Sequence, residues 1–226
     1  MGKNVVFITG SSSGIGREIA HKFAAAGARL ALTYYTGKKG GEETEKQCRA
    51  LGTPDTLLLR LDVTDDRSIA SAVGQIREKF GGIDVLVNNA GMGVFSPFGK
   101  TSPGDIERQL RTNLEGLIKV TLAALPLVKK TIINIASYLG KYPMTGGAVY
   151  CASKYGVRGF TQSLALELPG INVFCVNPDM IATRLTDYQG RPPGEVADVV
   201  FGLATGKIKR KSGEDADVWR IKRNLY

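Results

Sequence analysis

Residues 5–16 read VVFITGSSSGIG, and this stretch decides how the chain folds. Its first four residues are apolar, as in a buried strand, and a loop rich in glycine and serine follows. Beyond the loop, Ile15, Ile19 and Phe23 have the spacing of one helix face. The N–H groups at the start of a helix favour a phosphate, and glycines let that phosphate come close. A strand, a glycine loop and a helix in this order therefore predict a phosphate-binding turn, although a tight turn without a ligand would also need glycine.

The alternation of strands and helices continues along the chain. Strands are expected at 30–34, 57–61, 84–87, 131–135 and 172–176, and helices at 42–51, 69–80, 148–168 and 193–204, with a further long helix that opens at 102. Strands that are apolar throughout are typical of a parallel sheet covered on both faces. The predicted fold class is therefore α/β, a doubly wound parallel β-sheet (Rossmann fold) with helices on both faces. Residues 1–226 are expected to form a single domain.

The composition limits the classes of function. Hydrophobic residues make up 43% of the 226 residues, which is too apolar for a disordered chain. The net charge of +9 would suit an anionic partner such as nucleic acid, a membrane surface or a phosphorylated ligand. No nucleic-acid motif is present, so we predict no nucleic-acid partner. The single histidine, His21, excludes a metal site with several histidines and argues against a Ser/His/Asp triad, and no metal site is predicted.

The cysteines and the hydropathy pattern indicate the cellular compartment to expect. Cys48, Cys151 and Cys175 are too few and too scattered for a disulfide framework, so reduced thiols are expected. No apolar run approaches the length of a membrane span, and the N-terminus has no signal-peptide profile. These observations predict a cytoplasmic protein with no membrane partner.

Several motifs occur in the order found in the short-chain dehydrogenase/reductase family, and on these motifs the chain resembles that family over residues 3–205. They are Thr-Gly-x-x-x-Gly-x-Gly at 9–16, Asp62-Val63 after the third strand, Asn-Asn-Ala-Gly at 88–91, Asn113, Ser137 at the end of the fifth strand, and Tyr150 with Lys154. The ordered set carries the resemblance, because Tyr-x-x-x-Lys alone occurs three times in this sequence. Only the third pair follows a serine at a strand end.

The resemblance implies an oxidoreductase that transfers a hydride between a nicotinamide cofactor and a small-molecule carbonyl or secondary alcohol. Tyr150 would exchange the proton, Ser137 would bind the substrate oxygen, and Lys154 would also hold the nicotinamide ribose. Asn113, the fourth catalytic residue, would hold a water that connects Lys154 to solvent. Tyr150 and Lys154 share a helix face, and an ammonium ~4 Å from the phenolate would lower the pKa of Tyr150 by about 3 before desolvation opposes it. A catalytically silent NADP-binding sensor or scaffold of the same fold is the alternative.

The resemblance also implies a set of cofactor-binding residues, in the glycine loop, after later strands and on the helix of Tyr150. They are Gly10, Ser11, Ser13, Gly14, Ile15, Gly16, Tyr34, Lys38, Asp62, Val63, Asn89, Ala90, Gly91, Tyr150, Lys154, Pro178, Ile181 and Thr183. NADP(H) is preferred, because no acidic residue stands between Thr33 and Glu42 to repel a 2′-phosphate. Lys38, Lys39 or Arg17 could attract that phosphate, although the two lysines would equally suit a solvated turn. NAD(H) remains possible.

Three stretches depart from the family pattern. At 177–183, Asn-Pro-Asp-Met-Ile-Ala-Thr has Asp179 where the family has glycine. The substrate loop near 184–193 is short, which predicts an open pocket and loose specificity. The tail at 207–226 is basic, and 218–221 is its one strand-like piece. A homodimer through the two long helices is therefore at least as expected as the homotetramer common in the family.

Overall fold

A seven-stranded parallel sheet forms the centre of the protein in the computed structural model, which describes residues 4–223. The strands are β1 (Val5–Ile8), β2 (Arg29–Tyr34), β3 (Thr56–Arg60), β4 (Ile83–Asn88), β5 (Val128–Ile135), β6 (Asn172–Asn177) and β7 (Asp215–Asp217). Their order in the sheet is β3-β2-β1-β4-β5-β6-β7, so the strand order reverses between β1 and β4. Sheets of this type bind ligands at that reversal. The predicted doubly wound α/β fold is confirmed.

Helices cover both faces of the sheet. They are α1 (Gly14–Ala25), α2 (Lys38–Ala50), α3 (Asp66–Phe80), α4 (Pro103–Leu110), α5 (Gly116–Ala124), α6 (Ala148–Glu167), α7 (Gly194–Ala204) and α8 (Val218–Arg223). Successive residues of a strand point to opposite faces, so Ile8 packs in the same core cluster as Phe23 of α1, and Phe7 in the same cluster as Ile76 of α3. Both faces are apolar, which explains why the strands read as unbroken apolar runs.

The long helix predicted from residue 102 is interrupted. Ser102 caps α4 and accepts a hydrogen bond from the N–H of Asp105 at 3.0 Å, with Pro103 in the first turn as predicted. A π-helical turn, Arg111–Glu115, then separates α4 from α5. Such a turn adds one residue to the helix, and the apolar spacing of the sequence does not reveal it. Asn113 lies inside this turn.

The C-terminal part differs from its prediction. Residues 218–221, the strand-like piece, begin helix α8, and the edge strand of the sheet is β7. The sequence of β7, Asp-Ala-Asp, has no apolar strand pattern. Ion pairs hold this strand in place instead. Asp215 lies 3.1 Å from Lys141 and 2.7 Å from Arg158, and Asp217 lies 2.9 Å from Lys141. The tail therefore supplies the last strand of the sheet.

The three cysteines are buried free thiols. Burial raises the pKa of the Cys48 thiol to about 12 and also raises that of Cys175, so neither thiol ionises near neutral pH.

None of the helices within residues 4–223 combines the length and the apolar character that a membrane crossing requires.

Candidate active site

A cleft of about 2090 Å³ opens along the carboxyl edge of the sheet. The loops that follow strands β1 to β6 line it, as expected at the reversal of strand order in a sheet of this type. Ordinary small-molecule pockets measure roughly 300–1,000 Å³. This cleft therefore has room for two ligands side by side.

The glycine loop after β1 is fastened to the loop after β4. Gly10 has a φ of +66°, which side chains rarely adopt. A Cβ on Gly16 would overlap the carbonyl oxygen of Gly10 and lie 2.5 Å from Asn89 Nδ2. That amide nitrogen donates to the carbonyl oxygens of Thr9 at 2.9 Å and Gly10 at 3.0 Å. The backbone conformation at Gly10 and the close packing at Gly16 thus favour glycine even without a ligand.

Most of the residues predicted in these two loops line the cleft. Those that do are Gly10, Ser13, Gly14 and Ile15 after β1, and Asn89, Ala90 and Gly91 after β4. Ser11 is buried behind the loop, where its hydroxyl accepts a 2.8 Å hydrogen bond from the N–H of Thr33, and Gly16 also lies outside the lining. The side chain of Ser13 does not cap α1, and the first turn of α1 has no acidic residue. The start of this helix therefore offers its N–H groups without a competing carboxylate.

The loops after β2 and β3 line one end of the cleft. Tyr34, Asp62 and Val63, three of the residues predicted to bind the cofactor, lie there. Asp62 accepts hydrogen bonds from the N–H of Thr64 at 2.9 Å and from its hydroxyl at 2.7 Å. Burial alone would raise the pKa of Asp62, but these bonds and one from Tyr35 hold it below its ordinary value. Asp62 is thus an ionised acceptor at neutral pH.

The three cations considered for a 2′-phosphate lie in different places. Lys38 and Lys39 are exposed residues at the start of α2, outside the cleft lining, and the ammonium of Lys38 lies 3.6 Å from Glu42. Arg17 lines the cleft, and its Nε donates to Thr44 Oγ1 at 2.9 Å. Among the described residues, no carboxylate pairs with Arg17. Of these three cations, the structure therefore places only Arg17 in the cleft.

Ser137, Tyr150 and Lys154 come together beside the end of β5. Ser137 begins a short 3₁₀ turn, where its Oγ accepts a 3.1 Å hydrogen bond from the N–H of Leu139. Tyr150, in the first turn of α6, lies close enough to Ser137 for the Ser137 side chain to act on its pKa. The ammonium of Lys154 lies over the Tyr150 ring, 5.8 Å from its centroid, and donates to the carbonyl oxygen of Ile135 at 3.0 Å. All three side chains line the cleft.

Burial determines the direction of the pKa shift of Tyr150. Burial raises the pKa of Tyr150, and the Ser137 side chain offsets this only in part. Burial also lowers the pKa of Lys154 to about 8. The net shift is therefore upward, because the desolvation that opposes the expected effect of Lys154 is the largest influence on the pKa of Tyr150.

Asn113 holds the loop after β4 against helix α6. Its Oδ1 accepts from the N–H of Met92 at 2.8 Å, and its Nδ2 donates to the carbonyl oxygen of Met92 at 2.8 Å and to Ser153 Oγ at 3.1 Å. Ser153 in turn donates to the carbonyl oxygen of Tyr150 at 2.7 Å. Ser153 was not predicted from the sequence, where its only signal is its position between Tyr150 and Lys154 on one helix. Asn113 thus ties the π-helical turn to the turn that carries Tyr150.

The loop after β6 closes one side of the cleft and reaches the glycine loop, where a Cβ on Gly14 would lie 3.2 Å from the Thr183 side chain. Pro178, Ile181 and Thr183 line the cleft, as predicted. Ile181 pairs with Arg191 in an isolated parallel bridge, which joins the two ends of the short loop. Asp179, the departure from the family pattern, also lines the cleft, and its Oδ2 lies 3.8 Å from Arg191 Nη1. The carboxylate therefore faces the far end of its own loop.

Two aromatic residues that sequence analysis missed border the reactive group. The ring of Phe95 lies 5.2 Å from that of Tyr150, and Tyr138 directly follows Ser137. Both line the cleft. They lie in loops, where no periodic pattern marks an aromatic side chain as part of a site.

Comparisons with known proteins give the same assignment. The family described as "short chain dehydrogenase" matches residues 4–193. Retinol dehydrogenase 7 of Mus musculus is 38% identical over 192 residues, which cover 81% of this chain and 58% of that protein. This chain thus spans less than two thirds of that relative's length.

Solved structures resemble nearly the whole chain. A 3-oxoacyl-[acyl-carrier protein] reductase from Brucella melitensis in complex with NAD has a TM-score of 0.88 and 28% identity, over 96% of this chain and 95% of that chain. A short chain dehydrogenase from Burkholderia cenocepacia in complex with NADP has a TM-score of 0.88 and 29% identity, over 96% of both chains.

Proposed function

This chain belongs to the short-chain dehydrogenase/reductase family, and we propose that it is an NADP(H)-dependent oxidoreductase that uses a Ser-Tyr-Lys mechanism. Its substrate would be a small carbonyl compound or secondary alcohol. One observation carries the proposal: Ser137, Tyr150 and Lys154 line one cleft together with the glycine loop. An acid, an oxygen-binding group and a phosphate-binding turn in one cleft are what hydride transfer to a carbonyl requires of a protein.

The residues of the cleft fit a nicotinamide dinucleotide. The start of α1 has no carboxylate that would repel a pyrophosphate. A Cβ on Gly91 would lie 3.6 Å from Lys154 Nζ, so glycine keeps the space in front of this ammonium open. The glycine loop would hold the pyrophosphate, Tyr34, Asp62 and Val63 the adenosine, and Asn89, Ala90, Gly91, Lys154, Pro178, Ile181 and Thr183 the nicotinamide half. When bound, the cofactor would supply or accept the hydride.

Tyr150 is the residue that would exchange the proton with the substrate oxygen. Burial raises its pKa, so the phenol keeps its proton near neutral pH and is ready to donate it as a carbonyl oxygen gains charge. Ser137 would hold the same oxygen by a hydrogen bond. In the direction of alcohol oxidation, the ammonium of Lys154 would favour the phenolate.

Lys154 and Asn113 would return the proton to solvent. A Cβ on Gly91 would lie 3.3 Å from Asn113 Oδ1 and 3.6 Å from Lys154 Nζ, so both atoms face one space beside this glycine. Asn113 Oδ1 already accepts one hydrogen bond from Met92, and a carbonyl oxygen can accept two. A water in that space would have an acceptor on one side and a donor on the other.

The preference for NADP(H) is supported by Arg17. The solved relatives include one complex with NAD and one with NADP, so the comparisons favour neither cofactor. No acidic residue stands between Thr33 and Glu42 to bind the ribose hydroxyls of NAD. Arg17 places a guanidinium at this end of the cleft, where it would attract a 2′-phosphate.

We further propose a cytoplasmic homodimer, with a homotetramer as the alternative assembly. Leu122 of α5 is 70% exposed and Leu166 of α6 is 86% exposed, so both long helices present apolar side chains to a partner. The three free, buried cysteines suit a reducing compartment.

Binding and turnover measured separately test the proposed function. Purified protein would be titrated with NADPH and NADH by nicotinamide fluorescence, and then assayed with a panel of aldehydes, ketones and secondary alcohols. We expect tighter binding of NADPH and turnover of part of the panel. Binding with no turnover of any compound would instead favour the silent sensor or scaffold.

A further inference from the structure

Exposed apolar side chains concentrate in the cleft. More than half of the large apolar side chains that are exposed among the described residues line it: Tyr35, Phe95, Tyr138, Met144, Met180, Leu185 and Tyr188. An exposed apolar patch of this kind in a cleft is typical of a ligand site. Tyr35 lies at the adenosine end beside Asp62, and the other six lie on the loops around Ser137 and Tyr150. The apolar surface is therefore at the place of the substrate.

Two of these side chains are aromatic neighbours of Tyr150 and Ser137, Phe95 in space and Tyr138 in the chain. Phe95 packs its ring 5.2 Å from that of Tyr150, with 53° between the ring planes, and is 42% exposed. Tyr138 follows Ser137 in the chain and is 39% exposed. Phe95 and Tyr138 thus present aromatic rings to the same cleft as Ser137 and Tyr150. We call Phe95 and Tyr138 the aromatic walls.

Each aromatic wall is supported from behind. The ring of Tyr138 lies 4.6 Å from Tyr142 and 5.1 Å from Trp219 of α8. Leu185 and Phe95 both border Gly93, where an added Cβ would be 3.0 Å from each side chain. Rings held in this way lose little freedom when a ligand packs on them, so they bind it more tightly.

The charges around the aromatic walls disfavour an anionic substrate. The ammonium of Lys154 is buried and donates to the carbonyl oxygen of Ile135. Arg191 is engaged by Glu195 at 2.5 Å, and the carboxylate of Asp179 lines the same part of the cleft. The remaining cation of the loop, Arg184, lines the cleft but is exposed to solvent, and the carboxylate of Asp187 lines the cleft as well. A carboxylate on the substrate would therefore meet two carboxylates of this loop, with solvent-exposed Arg184 as their only counterweight.

We propose that the substrate is an uncharged ketone or secondary alcohol with an aromatic ring next to the reacting carbon, and that this ring packs on Phe95 and Tyr138. This inference rests on the proposed function. In reduction, the carbonyl carbon receives a hydride from NADPH and the carbonyl oxygen receives the Tyr150 proton. The carbon–oxygen double bond would become a single bond, with one new C–H and one new O–H bond, and the cofactor would leave as NADP⁺. In the opposite direction, the reverse transfers would oxidise the alcohol to the ketone.

Matched substrates test the aromatic preference. Acetophenone and cyclohexyl methyl ketone differ in the ring, and 4-acetylbenzoate adds a carboxylate. A ring–ring contact strengthens binding by about threefold to tenfold. We therefore expect kcat/KM to be at least about threefold higher for acetophenone than for the cyclohexyl ketone. Phe95→Leu and Tyr138→Leu should each reduce this ratio, and 4-acetylbenzoate should be the poorest of the three. The control is Phe98→Leu, at an exposed phenylalanine outside the cleft lining, which should leave the ratio unchanged.

A binding measurement separates this inference from the proposed function. Benzamide and cyclohexanecarboxamide carry the same two rings on an amide that is not reduced, and calorimetry with NADP⁺ present reports their affinities. One outcome is that no ketone turns over, but benzamide binds more tightly than cyclohexanecarboxamide and loses this advantage in Phe95→Leu and Tyr138→Leu. In that case the proposed function fails and the aromatic site stands. If ketones turn over with equal rates for the two rings, or 4-acetylbenzoate is preferred, the inference is overturned. Unchanged NADPH affinity in each variant shows that the fold is intact.

Discussion

Replacing Arg17 by methionine should remove the preference for NADP(H) and leave the binding of NADH nearly unchanged. Arg17 Nε donates to Thr44 Oγ1 at 2.9 Å, and Nη2 donates to the carbonyl oxygens of Ser12 at 2.7 Å and Gly40 at 3.3 Å. Among the described residues, Nη1 has no hydrogen-bond partner. The guanidinium thus keeps donors free for a 2′-phosphate, and methionine preserves the apolar stem while it removes the charge.

The size of the effect follows from the charge and exposure of Arg17. A hydrogen bond to a charged group contributes about 1.5–3 kcal/mol. Because Arg17 is half-buried and no carboxylate competes for it, we take about 2 kcal/mol, which corresponds to about 30-fold in Kd. Added salt should reduce this difference, since part of the charge is open to solvent.

The assay is fluorescence titration of the unaltered protein and the variant with both cofactors. We expect the ratio of the NADH and NADPH dissociation constants to fall by about 30-fold in Arg17→Met. Lys38→Met is the matched control, because Lys38 is exposed and outside the cleft, and its ratio should stay unchanged. Arg17 also fastens the glycine loop, but a disturbed loop would weaken both cofactors alike. An unchanged ratio in Arg17→Met, or a collapse of the ratio in Lys38→Met, would refute the reasoning.

Three further predictions concern the glycine loop, Lys154 and the edge strand. Gly16→Ala should destabilise the protein by about 1–3 kcal/mol in urea unfolding, since its Cβ would overlap Gly10, whereas Gly74→Ala, with nothing within 4 Å, should not destabilise it. The pKa of Lys154 is about 8, so NADPH affinity should weaken as the pH rises from 7 to 9, and this dependence should vanish in Lys154→Met. Although burial alone would raise the pKa of Asp215, its hydrogen bonds lower it to about 2, so the folded state favours the carboxylate. Asp215→Asn should therefore lower the free energy of unfolding by about 2 kcal/mol at pH 7, and this difference should shrink between pH 4 and pH 2. A constant difference across this range would contradict the assignment.

The fold could be predicted because its signals are local and periodic. Residues 5–16 contain a strand, a tight turn and a helix start within one short stretch, and the later strands are buried on both faces. Strand β7 could not be predicted, because Asp215 and Asp217 are held by Lys141 and Arg158, which are distant in the sequence. The π-helical turn around Asn113 was also missed, since one extra residue hardly changes the apolar spacing.

The candidate site was predictable in its reactive residues and less so in its surroundings. Ser137, Tyr150 and Lys154 follow a motif order, and the structure places them together in the cleft. The pKa of Tyr150 was not predictable, because it depends on how deeply the ring is buried and on which part of the ring Lys154 approaches. The aromatic wall Phe95 lies in a loop whose path only the folded chain reveals.

The central claim is that Tyr150 exchanges the proton in a nicotinamide-dependent reduction, and Tyr150→Phe tests it most directly. The measurement is the rate of NADPH oxidation by the ketone that the unaltered protein reduces fastest, together with the Kd of NADPH. The control is Tyr155→Phe, because Tyr155 lies on the same helix but is exposed and bonds the carbonyl oxygen of Lys141 instead. The account predicts that Tyr150→Phe binds NADPH within about twofold of the unaltered protein and loses about 10²–10⁴ in rate, while Tyr155→Phe keeps its rate. A Tyr150→Phe variant that reduces the ketone at the unaltered rate would contradict the account.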